Sequence, residues 1–533
     1  MPPLSPRSAF ERSCGNSRSL IALDQIAFEI GFLNISTRDA KACSSPIRRS
    51  SPMKPLSVTF LAFLLFLAPL SRSQSPDGLW VGAISVLGTE LKIMVTFATH
   101  GDSVSASIDI PQQMAIGLEL RNVSWRPPKT HFELPAGPGL AVFDGTIGKD
   151  SINGEFTQAG IRGTFRLERG REGHAAAQAS PPEPPPPYRV EEVTFNAGSV
   201  GIAGTLTIPP GKGRHPAVVL ITGSGAHNRD EEILGFKPFR IIADYFTRHG
   251  LAVLRCDDRG VGGSTGSKAL STTADHADDV LAAVRLLQGR PDINPAQVGL
   301  CGHSEGGIIA PMVAGRSKDV SFIVLIAGPA VPGDKLILFQ LESLMRGGGA
   351  GEEQIRKTLD QQRRVFDCVR TGQGWDQIGE EFKKEVAASF DSLPPGTRKG
   401  ITDSAAFVNA NVDKRIASAQ TPWFRFFIDF DPVPALEQVS CPVLAIFGAL
   451  DMQVPVSLNR EPMQRALAKS KTKDWKVEVL PKANHLFLAA VTGSPAEYAG
   501  LEKKFVPGFL ELMTGWITTR VSVSRGDAGG RGN

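Results

Sequence analysis

The stretch that decides the fold is residues 298–314, VGLCGHSEGGIIAPMVA, where an apolar run meets a serine flanked by glycines. Residues 298–301 predict a strand buried within a sheet, and residues 306–314 predict a helix. A G-x-S-x-G pattern between a strand and a helix is typical of a strained turn that exposes a nucleophilic serine, because small residues beside the turn avoid steric clashes. The pattern alone also occurs in ordinary structural turns, but its position here predicts that Ser304 is a nucleophile.

Strands and helices continue to alternate on both sides of this turn. Residues 190–195 and 202–208 predict an opening hairpin, and residues 217–221 predict a strand that is buried on both faces. Helical periodicity separates the strands that follow, and the last strands are predicted at residues 443–447 and 477–480. The fold class is therefore predicted to be α/β, with a mostly parallel, doubly wound sheet.

Composition divides the chain into further segments. Residues 77–171 consist of short alternating runs between turns, which predicts a small all-β domain built as an antiparallel sheet or barrel. Residues 172–189 contain SPPEPPPP and predict a proline-rich linker, the alternative being a ligand for a proline-binding partner. The α/β domain follows at residues 190–520, and its residues 331–434 lose the strand pattern and predict a helical cap insertion. Residues 521–533, rich in Gly and Arg, predict a disordered tail.

The N-terminal region predicts export. Residues 53–73, MKPLSVTFLAFLLFLAPLSRS, have the basic start, apolar core and small residues of a cleaved signal peptide. Their apolar core is shorter than the roughly 20 residues that cross a bilayer, which argues against the alternatives of an uncleaved anchor or a buried helix. Met53 is the predicted start, which makes residues 1–52 an upstream segment, with a transit peptide as the alternative. The predicted location is periplasmic or secreted, without stable membrane insertion after the signal is removed.

The positive net charge of the chain comes from this N-terminal region. The 533 residues carry a formal net charge of +4. Residues 1–52 hold seven Lys or Arg against four Asp or Glu, and Lys54 and Arg72 add two more positive charges. Removal of residues 1–73 therefore leaves a net charge of −1, so a nucleic-acid partner is not predicted.

A nucleophilic serine needs a base that takes its proton and an acid that orients the base. In folds with this turn, the order along the chain is serine, acid, histidine. Of the nine histidines, only His485 follows Ser304, so it is the predicted base. Asp451 follows the carboxyl end of a predicted strand, where open α/β sheets place functional groups, and it is the predicted acid. Asp429 and Asp431 also satisfy the order, but they precede that strand.

Two backbone N–H groups are needed to stabilise an oxyanion. One is predicted to belong to Glu305, and the other to the loop at residues 222–227, TGSGAH, with Ser224 as the first candidate and Gly225 as the next. A phosphate-binding loop is the alternative for this segment. The chain lacks both a G-x-G-x-x-G pattern and a P-loop lysine there, and its cysteine spacing matches no metal motif, so no cofactor or metal is predicted.

Three motifs together resemble one family. TGSG at residues 222–225 with RDE at 229–231, DDRGVGGS at 257–264 and GHSEGG at 302–307 resemble the bacterial α/β-hydrolase carboxylesterases, which are related to serine aminopeptidases and prolyl iminopeptidases. The resemblance covers about residues 190–517 and implies an α/β-hydrolase fold preceded by a β-rich module. It also implies that the turn at 257–264 supports the nucleophile turn and that the helical insertion covers the active site. The oxyanion loop departs from the lipase pattern, since Thr-Gly replaces His-Gly.

These residues predict a serine hydrolase that cleaves carboxylic esters of short to medium acyl chains through an acyl-enzyme. A serine aminopeptidase or an acyl thioesterase with the same triad is the enzymatic alternative, because the nucleophile turn does not choose among them. A ligand-binding protein with an idle hydrolase domain is the alternative outside the enzymes. The predicted partner is a small-molecule ester, and the oligomeric state stays open.

Overall fold

The computed structural model describes residues 75–521, with short gaps at 87–88, 102, 111–114, 136–139, 159–160, 171–184, 348, 393–397, 399–400 and 402. The predicted upstream segment, the signal peptide, most of the linker and nearly all of the tail lie outside the described residues. Two sheets are present in the described part, and each is associated with its own buried core. The smaller core belongs to the N-terminal strands, and the larger one belongs to the α/β part.

Nine antiparallel strands form the first sheet in the described residues: β1 (Gly78–Val86), β2 (Thr89–His100), β3 (Ser103–Ile110), β4 (Ala115–Glu119), β5 (Arg121–Arg126), β6 (Lys129–Pro135), β7 (Leu140–Ile147), β8 (Ser151–Gln158) and β9 (Ile161–Arg169). They are hydrogen-bonded in the order β4-β3-β2-β1-β9-β8-β7-β6-β5. The edge strands β4 and β5 are separated only by Leu120, whose N–H donates to the carbonyl of Ala106 on β3 at 2.9 Å. The sheet therefore closes as a barrel, one of the two predicted forms of the all-β domain.

Aromatic side chains fill this barrel. Trp80, Phe97, Phe132 and Phe143 are fully buried, and the rings of Phe132 and Phe143 stack with centroids 4.7 Å apart. Barrels of about eight strands have an interior just wide enough for side chains. The aromatic rings therefore form the core of the domain, and their alternation with outward-facing polar residues is the pattern that predicts the strands.

Eight strands of the described residues form the second sheet: β10 (Arg189–Ala197), β11 (Val200–Ile208), β12 (His215–Ile221), β13 (Ala252–Cys256), β14 (Ile293–His303), β15 (Ile323–Ile326), β16 (Val443–Gly448) and β17 (Trp475–Leu480). Their order is β10-β11-β13-β12-β14-β15-β16-β17. The hairpin of β10 and β11 joins the sheet antiparallel, and β12 to β17 run parallel. The predicted mostly parallel, doubly wound sheet is confirmed.

Eleven α-helices lie within the described residues: α1 (Pro238–Arg248), α2 (Thr273–Gln288), α3 (Gly306–Arg316), α4 (Gly333–Gly347), α5 (Glu352–Thr371), α6 (Trp375–Ser392), α7 (Ser404–Ala419), α8 (Pro422–Asp429), α9 (Val433–Gln438), α10 (Val456–Lys469) and α11 (Phe509–Thr518). The helices α4 to α9 form the insertion between β15 and β16. Among the described residues, no helix combines the length and the apolar character needed to span a membrane.

Candidate active site

Ser304 lies in a strained turn between β14 and α3. Its φ of 54° falls in the left-handed region, which non-glycine residues rarely adopt. The turn is fixed to the sheet because the N–H of Ser304 donates to the carbonyl of Ile326 on β15 at 2.8 Å. Backbone strain of this kind persists only where the surrounding structure enforces it, and it is concentrated at functional sites.

The glycines beside Ser304 are required by close backbone packing. A Cβ at Gly302 would lie 2.0 Å from the carbonyl oxygen of Gly306, and a Cβ at Gly306 would lie 2.3 Å from the carbonyl oxygen of Ile221 on β12. Neither oxygen can move without displacing a strand or a helix. Glycine at both positions therefore allows α3 to begin directly against the sheet.

The variant Gly306→Ala is expected to lower the free energy of unfolding by about 2 kcal/mol or more, because the added methyl group overlaps the backbone of β12. The matched control is Gly515→Ala on α11, where a Cβ meets no atom within 4 Å. That variant is expected to gain up to about 1 kcal/mol, since alanine favours a helix more than glycine does. Urea unfolding measures both values, and a Gly306→Ala protein as stable as the wild type would contradict this packing.

The predicted base and acid form a buried pair. The Nδ1–H of His485 donates to Oδ2 of Asp451 at 2.8 Å, and the two side chains are 5% and 0% exposed. The other oxygen of Asp451 accepts the N–H groups of Gln453 and Val454, both at 2.8 Å. The carboxylate is therefore held in place on both oxygens. It keeps the proton on Nδ1 of His485, which leaves Nε2 able to accept one.

The predicted base lies beside the turn that carries Ser304. The ring of His485 is 4.8 Å from the ring of His303, the residue that directly precedes Ser304, and its carbonyl accepts a hydrogen bond from His303 Nε2 at 3.0 Å. Within the described residues, Ser304 Oγ makes no hydrogen bond to His485. Such serine-to-base contacts are often long in unliganded sites and shorten when substrate binds. The structure thus pairs the predicted acid and base and brings them to the turn that carries the serine.

The predicted oxyanion loop packs against the same turn. A Cβ built on Gly223 would lie 3.2 Å from Cβ of Ser304, so the backbone just before Ser224 lies next to the predicted nucleophile. The N–H of Gly223 is already donated to Oε1 of Glu231 at 2.7 Å. Neither the N–H of Ser224 nor that of Glu305 has an acceptor among the residues that the structure describes. These two amides are therefore available to a bound group.

The turn at residues 257–264 holds the oxyanion loop. Asp258 accepts hydrogen bonds from Thr222 Oγ1 at 2.7 Å and from the N–H of His227 at 3.0 Å, and Asp257 accepts the N–H of Arg229 at 2.8 Å. The family resemblance implies instead that this turn supports the nucleophile turn. The three hydrogen bonds named above go to the loop that follows β12, because β12 and β13 are adjacent in the sheet and place the two connections side by side.

The side chain of Glu305 connects the nucleophile turn to the helical insertion. Its Oε1 accepts hydrogen bonds from Thr273 Oγ1 at 2.6 Å and from Trp423 Nε1 on α8 at 2.8 Å, and the residue is 1% exposed. Trp423 stacks on Phe427 of the same helix with ring centroids 4.9 Å apart, and both rings belong to the buried core that the strands of the second sheet share. The aromatic residues of α8 therefore pack the insertion onto the core. Within the described residues, no group of three or more His, Cys, Asp or Glu side chains is placed to hold a metal ion.

Comparison with known proteins identifies the family. The sequence profile of the alpha/beta hydrolase family matches residues 218–501, more than half of the chain. The chain belongs to the alpha/beta hydrolase family. The matched region of this alpha/beta hydrolase contains the nucleophile turn, the helical insertion and both residues of the buried acid and base pair.

Two curated proteins are similar in sequence to this hydrolase. Esterase EstD from Thermotoga maritima is 29% identical over 315 residues, which cover 59% of this chain and 64% of that protein. An uncharacterized 31.7 kDa protein of Escherichia coli is 29% identical over 134 residues, or 25% of this chain and 44% of that protein. The chain thus spans less than two thirds of the length of either relative. A solved esterase of Pyrococcus furiosus matches 55% of this chain and 83% of its own at 15% identity, with a TM-score of 0.35.

Several residues that shape this alpha/beta hydrolase site are not evident as such in the sequence. Asn484 directly precedes His485, and its Oδ1 accepts the N–H groups of Leu486 and Leu488 at 3.0 and 2.9 Å, which fixes the loop of the base. Asparagine beside a histidine in a turn is a local signal for such a contact. Glu231 binds His303 and Trp423 binds Glu305, and these partners lie far apart in the chain, so no local pattern marks the two contacts.

Proposed function

We propose that the protein is a serine esterase that hydrolyses small carboxylic esters through an acyl-enzyme. The observation that carries the proposal is the buried 2.8 Å hydrogen bond from His485 to Asp451, next to a serine in a strained strand-to-helix turn. A serine, a histidine and a carboxylate in this arrangement form a nucleophile, its base and the group that orients the base. The relative from Thermotoga maritima is named an esterase, which agrees with this assignment.

In the proposed mechanism, Ser304 Oγ attacks the carbonyl carbon of the ester while Nε2 of His485 takes the hydroxyl proton. The carbonyl oxygen becomes an oxyanion, which the N–H groups of Glu305 and Ser224 stabilise. Asp451 stabilises the positive charge on the imidazole. His485 then gives its proton to the leaving alcohol. Water attacks the acyl-enzyme by the same steps and releases the carboxylic acid and the free serine.

The hydrogen bonds of the nearby acids favour an ester over an aminopeptidase substrate. An aminopeptidase needs a carboxylate that is available to a substrate's α-amine. Asp230 forms an ion pair with Arg255, Glu231 accepts bonds from Gly223 and His303, and Glu305 accepts bonds from Thr273 and Trp423. Each of these acids is thus bound through one carboxylate oxygen to groups of the protein itself. Oε2 of Glu231 and of Glu305 has no hydrogen-bond partner in the described residues, but both side chains are buried, with only 1% of each residue exposed.

A substrate panel tests this choice. We expect p-nitrophenyl esters of short to medium acyl chains to be hydrolysed with a kcat/KM at least about 10²-fold above that for amino-acid p-nitroanilides, because a site without an amine-binding acid gains nothing from the amine. Acyl thioesters in the same panel separate a thioesterase from an esterase. A preference for the anilides would refute the ester assignment, and failure to turn over any of the three classes would favour the ligand-binding alternative.

The proposal also covers the export of the protein and the role of the helical insertion. We propose that residues 53–73 are removed on export to the periplasm or the medium, and that the insertion of α4 to α9 covers the active site. The contact between Trp423 on α8 and Glu305 in the nucleophile turn supports this covering role. N-terminal sequencing of the protein from its native host would test the cleavage, with residue 74 as the expected first residue.

A further inference from the structure

Glu231 makes contacts that the proposed catalytic steps do not use. Its Oε1 accepts the N–H of Gly223 at 2.7 Å and also lies 3.0 Å from Nδ1 of His303. The residue is 1% exposed and has a φ of 49°, a left-handed conformation that is rare for a side chain of this size. One buried oxygen therefore joins the oxyanion loop to the residue that precedes the nucleophile.

His303 extends this connection to the base. Its Nε2–H donates to the carbonyl of His485 at 3.0 Å, and its Nδ1 faces the carboxylate of Glu231. The carbonyl is an acceptor and the ionised carboxylate is one too, so this geometry favours an imidazole that carries a proton on each ring nitrogen and pairs with Glu231. Burial acts to lower the pKa of His303, but Glu231, the carbonyl of His485 and the charge of Asp451 outweigh it and raise the pKa above its ordinary value.

We propose that Glu231 is a positioning residue that aligns the oxyanion loop, the nucleophile turn and the loop of the base through its single Oε1 atom. This inference rests on the proposed esterase function and deepens it. Gly223 connects Glu231 to the amide of Ser224, and His303 connects it to both Ser304 and His485. Catalysis of acyl transfer requires these groups to be held within a fraction of an ångström of their productive positions.

The alternative is that Glu231 only stabilises the fold, as an ordinary buried ion pair does. Removal of one partner of a buried pair destabilises a protein strongly, because the other charge remains without compensation. The two roles differ in their effect on turnover by molecules that are folded. A structural role changes the number of folded molecules, whereas a positioning role changes kcat for each of them.

The experiment measures kcat and KM for a p-nitrophenyl ester in Glu231→Gln and Glu231→Ala, with active sites counted by titration with a fluorophosphonate. Glutamine keeps the shape of the side chain but removes the negative charge that faces Nδ1 of His303. Alanine removes both contacts. We expect kcat per titrated site to fall about 10-fold for Gln and about 10²-fold for Ala, with KM within twofold of the wild type, since displacements of about 1 Å can cost 10²-fold in rate. If the alanine variant does not fold, the glutamine variant carries the test.

The matched control is Asp292→Asn, which removes a partly buried carboxylate that binds Arg290 through both oxygens, each at 2.9 Å, next to the first residue of β14. This ion pair does not contact the site, so the variant is expected to lose stability and keep kcat per titrated site within twofold. If Ser304→Ala inactivates the enzyme but the Glu231 variants keep the wild-type kcat, the esterase mechanism stands and only the positioning role is overturned. Wild-type activity in Ser304→Ala would instead overturn the esterase mechanism, and the positioning role with it.

Discussion

Ser304→Ala is expected to lower kcat for p-nitrophenyl ester hydrolysis by about 10⁶-fold, to the level left by the oxyanion amides and substrate binding. The variant removes the oxygen that forms the acyl-enzyme, and His485 then has no hydroxyl to deprotonate. The fold is expected to persist, because the contact that anchors the turn is made by the backbone N–H of Ser304. Steady-state kinetics and circular dichroism on the same preparation measure both effects.

The matched control for this variant lies at the other end of the same helix. Ser317 follows α3, and its hydroxyl donates to Asp319 at 2.9 Å on the exposed surface. Ser317→Ala is expected to keep kcat within about twofold of the wild type, since exposed polar contacts of this kind contribute little. Wild-type activity in the purified Ser304→Ala protein would show that another group is the nucleophile.

Asp451→Asn is expected to lower kcat by about 10⁴-fold. Its Oδ1 position can still accept the N–H groups of Gln453 and Val454, so the loop is expected to stay in place. The amide nitrogen would then face Nδ1 of His485 as a donor and force the proton onto Nε2, where the base must be free. Kinetics at several pH values measure the loss, because the variant retains a serine nucleophile without an oriented base.

Two other aspartates serve as controls for Asp451. Asp429 forms an exposed ion pair with Arg370 at 2.7 Å, and Asp431 accepts the N–H of Val433 at the start of α9. Neither contacts His485. Asp429→Asn and Asp431→Asn are therefore expected to keep kcat within about threefold. A large loss in either variant, together with an active Asp451→Asn protein, would reassign the acid.

The fold and the central pair of side chains could be predicted because their signals are local. The strand, the glycine-flanked serine and the helix occupy consecutive residues, and the strand alternation around them determines the sheet. His485 is predicted by elimination, since no other histidine follows Ser304. Asp451 is identified by its place at the end of β16, where parallel sheets direct their functional loops.

The remaining features depend on contacts between residues far apart in the chain. Trp423 binds Glu305 across 118 positions, and Glu231 binds His303 across 72. Closure of the barrel likewise depends on pairing, because the consecutive strands β4 and β5 pair with β3 and with β6, respectively, at opposite ends of the strand order. Periodicity and composition report which face of an element is buried, but they do not report which distant polar group satisfies a buried carboxylate. These partners therefore required the three-dimensional structure.

The esterase mechanism proposed for Ser304 is tested most simply by labelling the protein with a fluorophosphonate and locating the adduct by peptide mass spectrometry. The reagent forms a covalent bond with a serine only when a base activates it, so labelling reports the assembled site and not merely the sequence motif. We expect one adduct per chain, on Ser304, with loss of esterase activity in proportion to labelling. An adduct on a different residue, or full inhibition with Ser304 unmodified, would contradict this mechanism.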